Sequence, residues 1–473
     1  MKLKLSILGR NFEFLPFNYP TKCGLEFAQP GYIDEVIYLT IKLSNYQTNM
    51  KLCPIDRQGT SICRSVHWLR QVFGYIGPGF FVTVGFIDPG NWATNIAAGS
   101  DYNYDLLWVV FLSTLILILW QHMSAHLGII KEKCLAEAVH DHFKPLAAAI
   151  YGSTAIAACV ATALAEILGA ALGLNLLFGL PVKVGAAMAA VFVGVMVWLH
   201  KYGSLEKLIV AFVSAIGFCY LVELYIVKPD WTQAAIHTFV PKLNSQSIII
   251  AMGVLGAVVM PHNMYLHSEV IQNRQWKGKT EADTRRLLRF EFVDTIVAML
   301  VGMAINSAMV IVAASVFHRH GVRVDELTQA AATLRPLAGN LASVLFGVAL
   351  LFAGVSSSIT AGIAGGTTFS GYLGKETNLD SKWFRWGMIM TLFPAFLIIL
   401  YIKDTFQALI ISQVCLSVQL PFTMLPLFLL TCSKRYMGKF ANGWFETSAM
   451  VVTGLLIVFL NILLIYRIFG GSF

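Results

Sequence analysis

The sequence is short of charge: Asp, Glu, Lys and Arg make up 13% of its 473 residues, against about a quarter in soluble domains. With 57% hydrophobic residues and a mean hydropathy of +0.68, that shortage excludes a soluble fold. Strand-like alternation is missing as well. The apolar runs are continuous over roughly twenty residues and rich in Leu, Ile, Ala and Gly, which excludes an outer-membrane barrel. No CxxC occurs among the eight scattered cysteines (Cys23, Cys53, Cys63, Cys134, Cys159, Cys219, Cys415, Cys432), so neither a disulfide framework nor a zinc site is indicated, and they read as packing residues. The first sixty or so residues lack the basic start, apolar stretch and small-residue cleavage site of a signal peptide. What is present is apolar sequence enough for about ten or more helices of roughly 20 residues each. The chain reads as an all-α polytopic membrane protein.

The formal charge of +8 does not point to nucleic acid, because the cations sit in short clusters between apolar runs, as the positive-inside rule requires. Residues 1–70 form a mixed, peripheral extension. Met50-Lys51-Leu52 is a plausible start for the first span, so residues 1–49 read as an extension or a misassigned upstream start. A transmembrane domain then fills 71–473, with eleven apolar segments at 71–98, 105–129, 147–172, 182–199, 207–227, 247–271, 291–316, 338–366, 385–402, 405–431 and 443–467. A cytoplasmic N-terminus puts the basic clusters around Lys131, Lys144, Lys201, Arg285, Lys382 and Lys434 inside. The outer face then keeps only Lys183, Lys228, Lys242, Arg319, Arg323, Arg335, Lys403 and Arg467. The N-terminus is expected inside and the C-terminus outside.

Two segments are interrupted alike. Asp88-Pro89-Gly90-Asn91 breaks the first and Met260-Pro261-His262-Asn263 the sixth, so X-Pro-x-Asn recurs five spans apart. Matching broken helices in two five-span halves indicate an inverted repeat, 71–227 and 247–431, with 443–467 added. Each proline lacks an N–H and clashes with the carbonyl four residues earlier, which frees the carbonyls of Gly85 and Ala257 and unwinds Asp88 and Met260. Unwound backbone at membrane depth must line a cavity or be buried in protein, so the breaks are expected to face each other, and a buried carboxylate there calls for a cation. The expected ligands are Asp88, Asn91, the Gly85 and Ala257 carbonyls and the Met260 thioether. Oxygens alone would suit Mg²⁺ or Ca²⁺, whereas sulfur favours first-row transition metals, here Mn²⁺ or Fe²⁺.

Asp88-Pro89-Gly90-Asn91 and Met260-Pro261-His262-Asn263-Met264-Tyr265-Leu266-His267-Ser268 resemble the two signature segments of the Nramp family of divalent-metal transporters. The likeness extends through Leu127-Gly128-Ile129, Glu166, Asp294, Asn306, Ser412-Gln413-Val414 and Gln419-Leu420-Pro421-Phe422. It covers essentially everything after residue 70. The resemblance implies a LeuT-like fold, the same metal ligands with Gln413 joining in some states, and proton-coupled uptake. It assigns proton movement or its supporting ion pairs to Asp88, Glu166, His262, His267 and Arg274. It further implies a bacterial plasma-membrane protein whose partners are divalent metal ions, protons and the lipid bilayer, with no cofactor.

The chain departs from that pattern where the family carries acids in the third span, at Ala163 and Ile156, and an arginine pair in the ninth, at Gly387 and Met388, leaving Arg385 as the nearest cation. Losing one partner alone would strand a buried charge, so their joint absence reads as removal of a whole network and puts tight proton coupling in doubt. His262 and His267 are turned about 140° from each other on a helix and so do not form a metal-binding pair; each either titrates or serves as a hydrogen-bonding element. Two other transporter readings are an uncoupled Mg²⁺-type carrier, which has no use for the Met260 thioether, and a sodium-coupled organic-solute symporter. The latter would want free N–H groups where this chain has a carboxylate and a thioether. An embedded enzyme or metal sensor is disfavoured, since no nucleophile with a base and no output domain is apparent.

Overall fold

In a computed structural model the described residues are 77–468, apart from 201, 245, 274–279 and 325, together with a short hairpin near the N-terminus. The hairpin pairs Leu5–Ile7 with Arg10–Phe12 in antiparallel register, Leu5 opposite Phe12. The chain divides into two compact units, Met1–Val66 and His67–Phe473. The proposed start at Met50, the lysines and arginines between residues 13 and 76, and Arg274 lie outside the described residues.

Ten helices among the described residues are long and apolar enough to cross a membrane. They correspond to the second through eleventh apolar segments. The first segment is interrupted, as Pro78–Thr83 followed by a 3₁₀ turn at Val84–Phe86 and then Pro89–Tyr102, so neither half reaches spanning length. Several helices outrun their apolar segments at polar ends. The seventh begins at Glu281 because Thr280 and Asp283 form a capping box there, which satisfies end N–H groups ten residues before the apolar run starts. The third ends at Phe178 on Gly179, which takes the left-handed conformation at φ 68°.

Proline alone does not break a helix here. Pro394, Pro421 and Pro426 lie inside continuous helices. At Pro89 the preceding Asp88 is extended (φ −82°, ψ 162°) and caps the following half-helix, accepting from the backbone N–H groups of Gly90 and Asn91. At Pro261 the first half-helix, Ile248–Val258, stops two residues short, and Pro261–Asn273 resumes it.

Packing repeats with the five-span period. The third and eighth spans make the most extensive contact; the first packs on the seventh as the second packs on the sixth, and the third on the tenth as the fifth on the eighth. The broken spans lie inside. The hydrophobic stretch of the sixth span is 89% buried, against 22% for the eleventh and 28% for the fourth. Outward faces of those outer spans carry exposed Val191, Trp198, Leu455 and Phe459, which is the surface a bilayer would cover.

Candidate metal centre

Asp88, Asn91, Ala257, Met260 and Gln413 are all fully buried, and hydrogen bonds tie the two breaks together. Asn91 Nδ2 donates to Asp88 Oδ1 at 2.5 Å and to the Ala257 carbonyl at 2.8 Å, so the carbonyl expected to be freed by Pro261 meets the first break. In the reverse direction Asn263 Nδ2 donates to the Val82 carbonyl at 3.4 Å and lies 3.9 Å from the Met260 sulfur. Each asparagine two places beyond its proline thus reaches into the other break. Gly85 is buried against the Asn263 amide. From the tenth span Gln413 Nε2 approaches Asp88 Oδ2 at 3.4 Å.

Supporting residues hold the first break in place. Asp294 accepts from the Gly77 and Gly79 N–H groups at 3.1 and 2.7 Å. It thereby supplies from the seventh span the cap that Gly77 lacks. Asn306 donates to the Phe86 carbonyl at 2.9 Å and accepts from Asn95 at 2.7 Å. Gly169 of the third span lets Pro89 approach; a Cβ there would lie 2.0 Å from the Pro89 ring.

Donors are plentiful around the carboxylate, while acceptors are left over. Asn91 Oδ1, Asn263 Oδ1 and Gln413 Oε1 are buried without a hydrogen-bond donor. A buried unsatisfied oxygen costs about 1–3 kcal/mol, and a cation is a partner that satisfies several at once. With a carboxylate, amide oxygens, the Ala257 carbonyl and a thioether, the arrangement suits a divalent ion of borderline softness.

The residues expected to handle protons are separated by side-chain direction. His262 Nδ1 faces Thr162 Oγ1 at 3.1 Å, whereas His267 Nδ1 faces Gln121 Oε1 at 3.1 Å. Glu166, one turn beyond Thr162, bonds Ser357 of the eighth span and lies within electrostatic reach of Asp88. The missing network is closed off physically. Ala163 is fully buried, and a Cβ on Gly387 would lie 2.5 Å from Phe369 and 2.9 Å from the Gly365 carbonyl, so no arginine fits there. Arg385 does not substitute for it, because its guanidinium stacks 4.5 Å from the Trp198 ring and lies 3.6 Å from exposed Asp380.

Three further groups escaped sequence reasoning. Glu223 of the fifth span is buried with neither carboxylate oxygen hydrogen-bonded. His122 of the second span pairs with buried Glu291 of the seventh at 2.5 Å. Ionisable residues within spans are functional candidates by default, and that rule alone would have flagged them. The third group overlaps with the packing cysteines: Cys134, Glu137 and Glu269 bring ligand atoms within 4.8 Å of one another. Cys134 caps the connecting helix Leu135–His142 in a capping box with Glu137. Burial, reinforced by the two glutamates, pushes its thiol well above the ordinary range and keeps it protonated.

Comparison with known proteins follows the same lines. The family described as natural resistance-associated macrophage protein-like (Nramp) matches residues 79–467. The chain is 39% identical over 407 residues to a divalent metal cation transporter MntH of Caldanaerobacter subterraneus, covering 85% of this chain and 95% of that one. It is 38% identical to the protein of that name from Bacillus subtilis over 410 residues, covering 85% and 94%. Its structure is similar to that of the Eremococcus coleocola manganese transporter, with a TM-score of 0.75, 27% identity and coverage of 90% and 92%. Mhp1, a nucleobase-cation-symport-1 family transporter, shares the fold alone, with a TM-score of 0.57 and 16% identity over 82% of this chain and 91% of that one. The fold is the LeuT-like one that the signature segments implied.

Proposed function

The chain belongs to the Nramp family, and from that premise and the geometry around Asp88 we propose that it imports divalent transition metal ions, Mn²⁺ or Fe²⁺, as a secondary transporter. Family membership makes it a membrane transporter and not an enzyme, and the metal is its substrate rather than a cofactor. The observation that carries the reading is the set of donor-free oxygens beside a buried carboxylate. Asn91 Nδ2 bridges Asp88 and the Ala257 carbonyl, filling with N–H groups the position between two anionic or dipolar oxygens. A half-turn of that amide exchanges donor for acceptor and admits a cation in its place. Asp88, Asn91, Met260, Gln413 and the Ala257 and Gly85 carbonyls are the ligands proposed. Met260 beside them supports Mn²⁺ or Fe²⁺ over Mg²⁺, since a hard ion gains little from a thioether.

Transport is proton-linked, with looser coupling than a full acid and arginine network would give. Protons pass by way of Asp88, Glu166, His262 and His267, with Arg274 as a supporting cation. The setting is a bacterial plasma membrane, N-terminus inside and C-terminus outside, as the distribution of lysine and arginine supports. The test is Mn²⁺ uptake into proteoliposomes with internal pH recorded at the same time. Uptake that persists at equal pH on both sides and rises modestly when the outside is acidified is the expected result; no Mn²⁺ uptake under any gradient would refute the reading.

A further inference from the structure

A second cluster of ionisable groups lies away from the metal ligands, on the second, sixth and seventh spans. His122 Nδ1 pairs with Glu291 Oε2 at 2.5 Å, and Thr295 Oγ1 donates to the other carboxylate oxygen at 2.7 Å. One turn along the second span His126 is buried, stacked on His122 at 6.0 Å between ring centroids, and neither of its ring nitrogens has a hydrogen-bond partner. His267, about 10 Å along its helix from Met260, is fixed through Nδ1 by Gln121, the neighbour of His122, and its Nε2 is bare. His267 also lies within electrostatic reach of both Glu291 and His122. We propose that the His122–Glu291 pair, with His126 and His267 beside it, is a proton-binding site separate from the metal site, through which the proton accompanying metal transport reaches the cytoplasmic face.

The chemistry follows from charge in a low-dielectric setting. Without an extra proton the pair is a neutral imidazole beside a buried carboxylate, an uncompensated negative charge that the surroundings penalise. Taking one proton makes the pair neutral overall, shared between His122 Nδ1 and Glu291 Oε2. A proton taken up by the pair is then released to a more alkaline interior. The donor is His267, which returns to neutral imidazole when its Nε2 proton leaves; the acceptor beyond the pair is His126, about 8 Å before the end of the span at Lys131. Other charged groups facing the pair among the described residues are few. Glu446, at the start of the eleventh span, is within electrostatic reach of His122, while Lys131 is held by the Tyr436 carbonyl at 2.8 Å and ring at 4.2 Å. The route runs along the face of the sixth span that meets Gln121 of the second, so it does not need the acids that Ala163 and Ile156 replace.

This inference rests on the transport reading, and one experiment separates the two. Proteoliposomes containing the unmodified protein, Glu291→Gln or His122→Asn are loaded with a pH indicator and a Mn²⁺ indicator, and proton influx per metal is measured. Both variants are expected to lower protons per Mn²⁺ by about tenfold while Mn²⁺ uptake at equal pH stays within about twofold. A residue that merely packs the second span on the seventh would lower both fluxes together and leave their ratio unchanged. An unchanged ratio in both variants, or an unmodified protein that moves Mn²⁺ without protons, overturns the proposal. Should Glu291→Gln fail to fold, His122→Asn, which keeps a donor toward Glu291, decides the matter by the same ratio. Absence of Mn²⁺ uptake by the unmodified protein refutes the transport reading instead.

Discussion

The two broken spans occupy equivalent places in the repeat and do different work. At the first break the residue before proline is a carboxylate, and it is already engaged, capping its own half-helix through Gly90 and Asn91. At the sixth break the equivalent residue, Met260, accepts no backbone bond; what that span contributes is a sulfur and the Ala257 carbonyl. A cap that is also a proposed ligand fixes the orientation of the Asp88 carboxylate. In the proposed site the sixth break supplies selectivity without charge, so that one half of the repeat would hold the ion and the other half choose it.

The largest effect that could break this contrast is on Asp88. Asp88→Ala removes the charged ligand and the helix cap together and is expected to lower Mn²⁺ uptake by about 100-fold or more, with the protein still inserted; near-normal uptake would sink the proposed site. Next comes Gly169→Ala, whose methyl would meet the Pro89 ring. Overpacking of that kind costs about 1–3 kcal/mol, so a lower thermal midpoint and a several-fold loss of uptake are expected, without a change in metal preference. Met260→Ala sharpens the other side. It is expected to keep part of the Mn²⁺ flux while losing about tenfold in discrimination against Ca²⁺, measured by competition; unchanged selectivity would make the thioether a packing group. The smallest effect is on Ala163→Asp, which should leave protons per Mn²⁺ unaltered. The added carboxylate finds no arginine at 387, where there is no room for one, and Arg385 is turned to the Trp198 ring, so it would stay protonated.

Much of this contrast was legible in the sequence because proline leaves a local, periodicity-independent mark. The pattern X-Pro-x-Asn at 88–91 and 260–263 located both breaks and pointed to all but one of the ligands proposed, and Gln413 came only through family resemblance. What the sequence left unread is contact between distant helices. Nothing in the seventh span announces that Asp294 caps Gly77 and Gly79, more than two hundred residues away. Nor does the second span reveal that His122 faces Glu291, since helical spacing says which residues share a face but not which face meets which neighbour. Boundaries slipped for a related reason. Hydropathy ends where the apolar run ends, whereas the helix continues to its cap, as at Thr280.

The central claim is that the cargo sits between the two breaks, and diffraction at the manganese absorption edge from crystals of the unmodified protein soaked in Mn²⁺ tests it most directly. An anomalous peak is predicted within coordinating distance of the Asp88 carboxylate and the Met260 sulfur, absent in Asp88→Ala. A peak at another cluster such as Cys134, Glu137 and Glu269, with none beside Asp88, would contradict it.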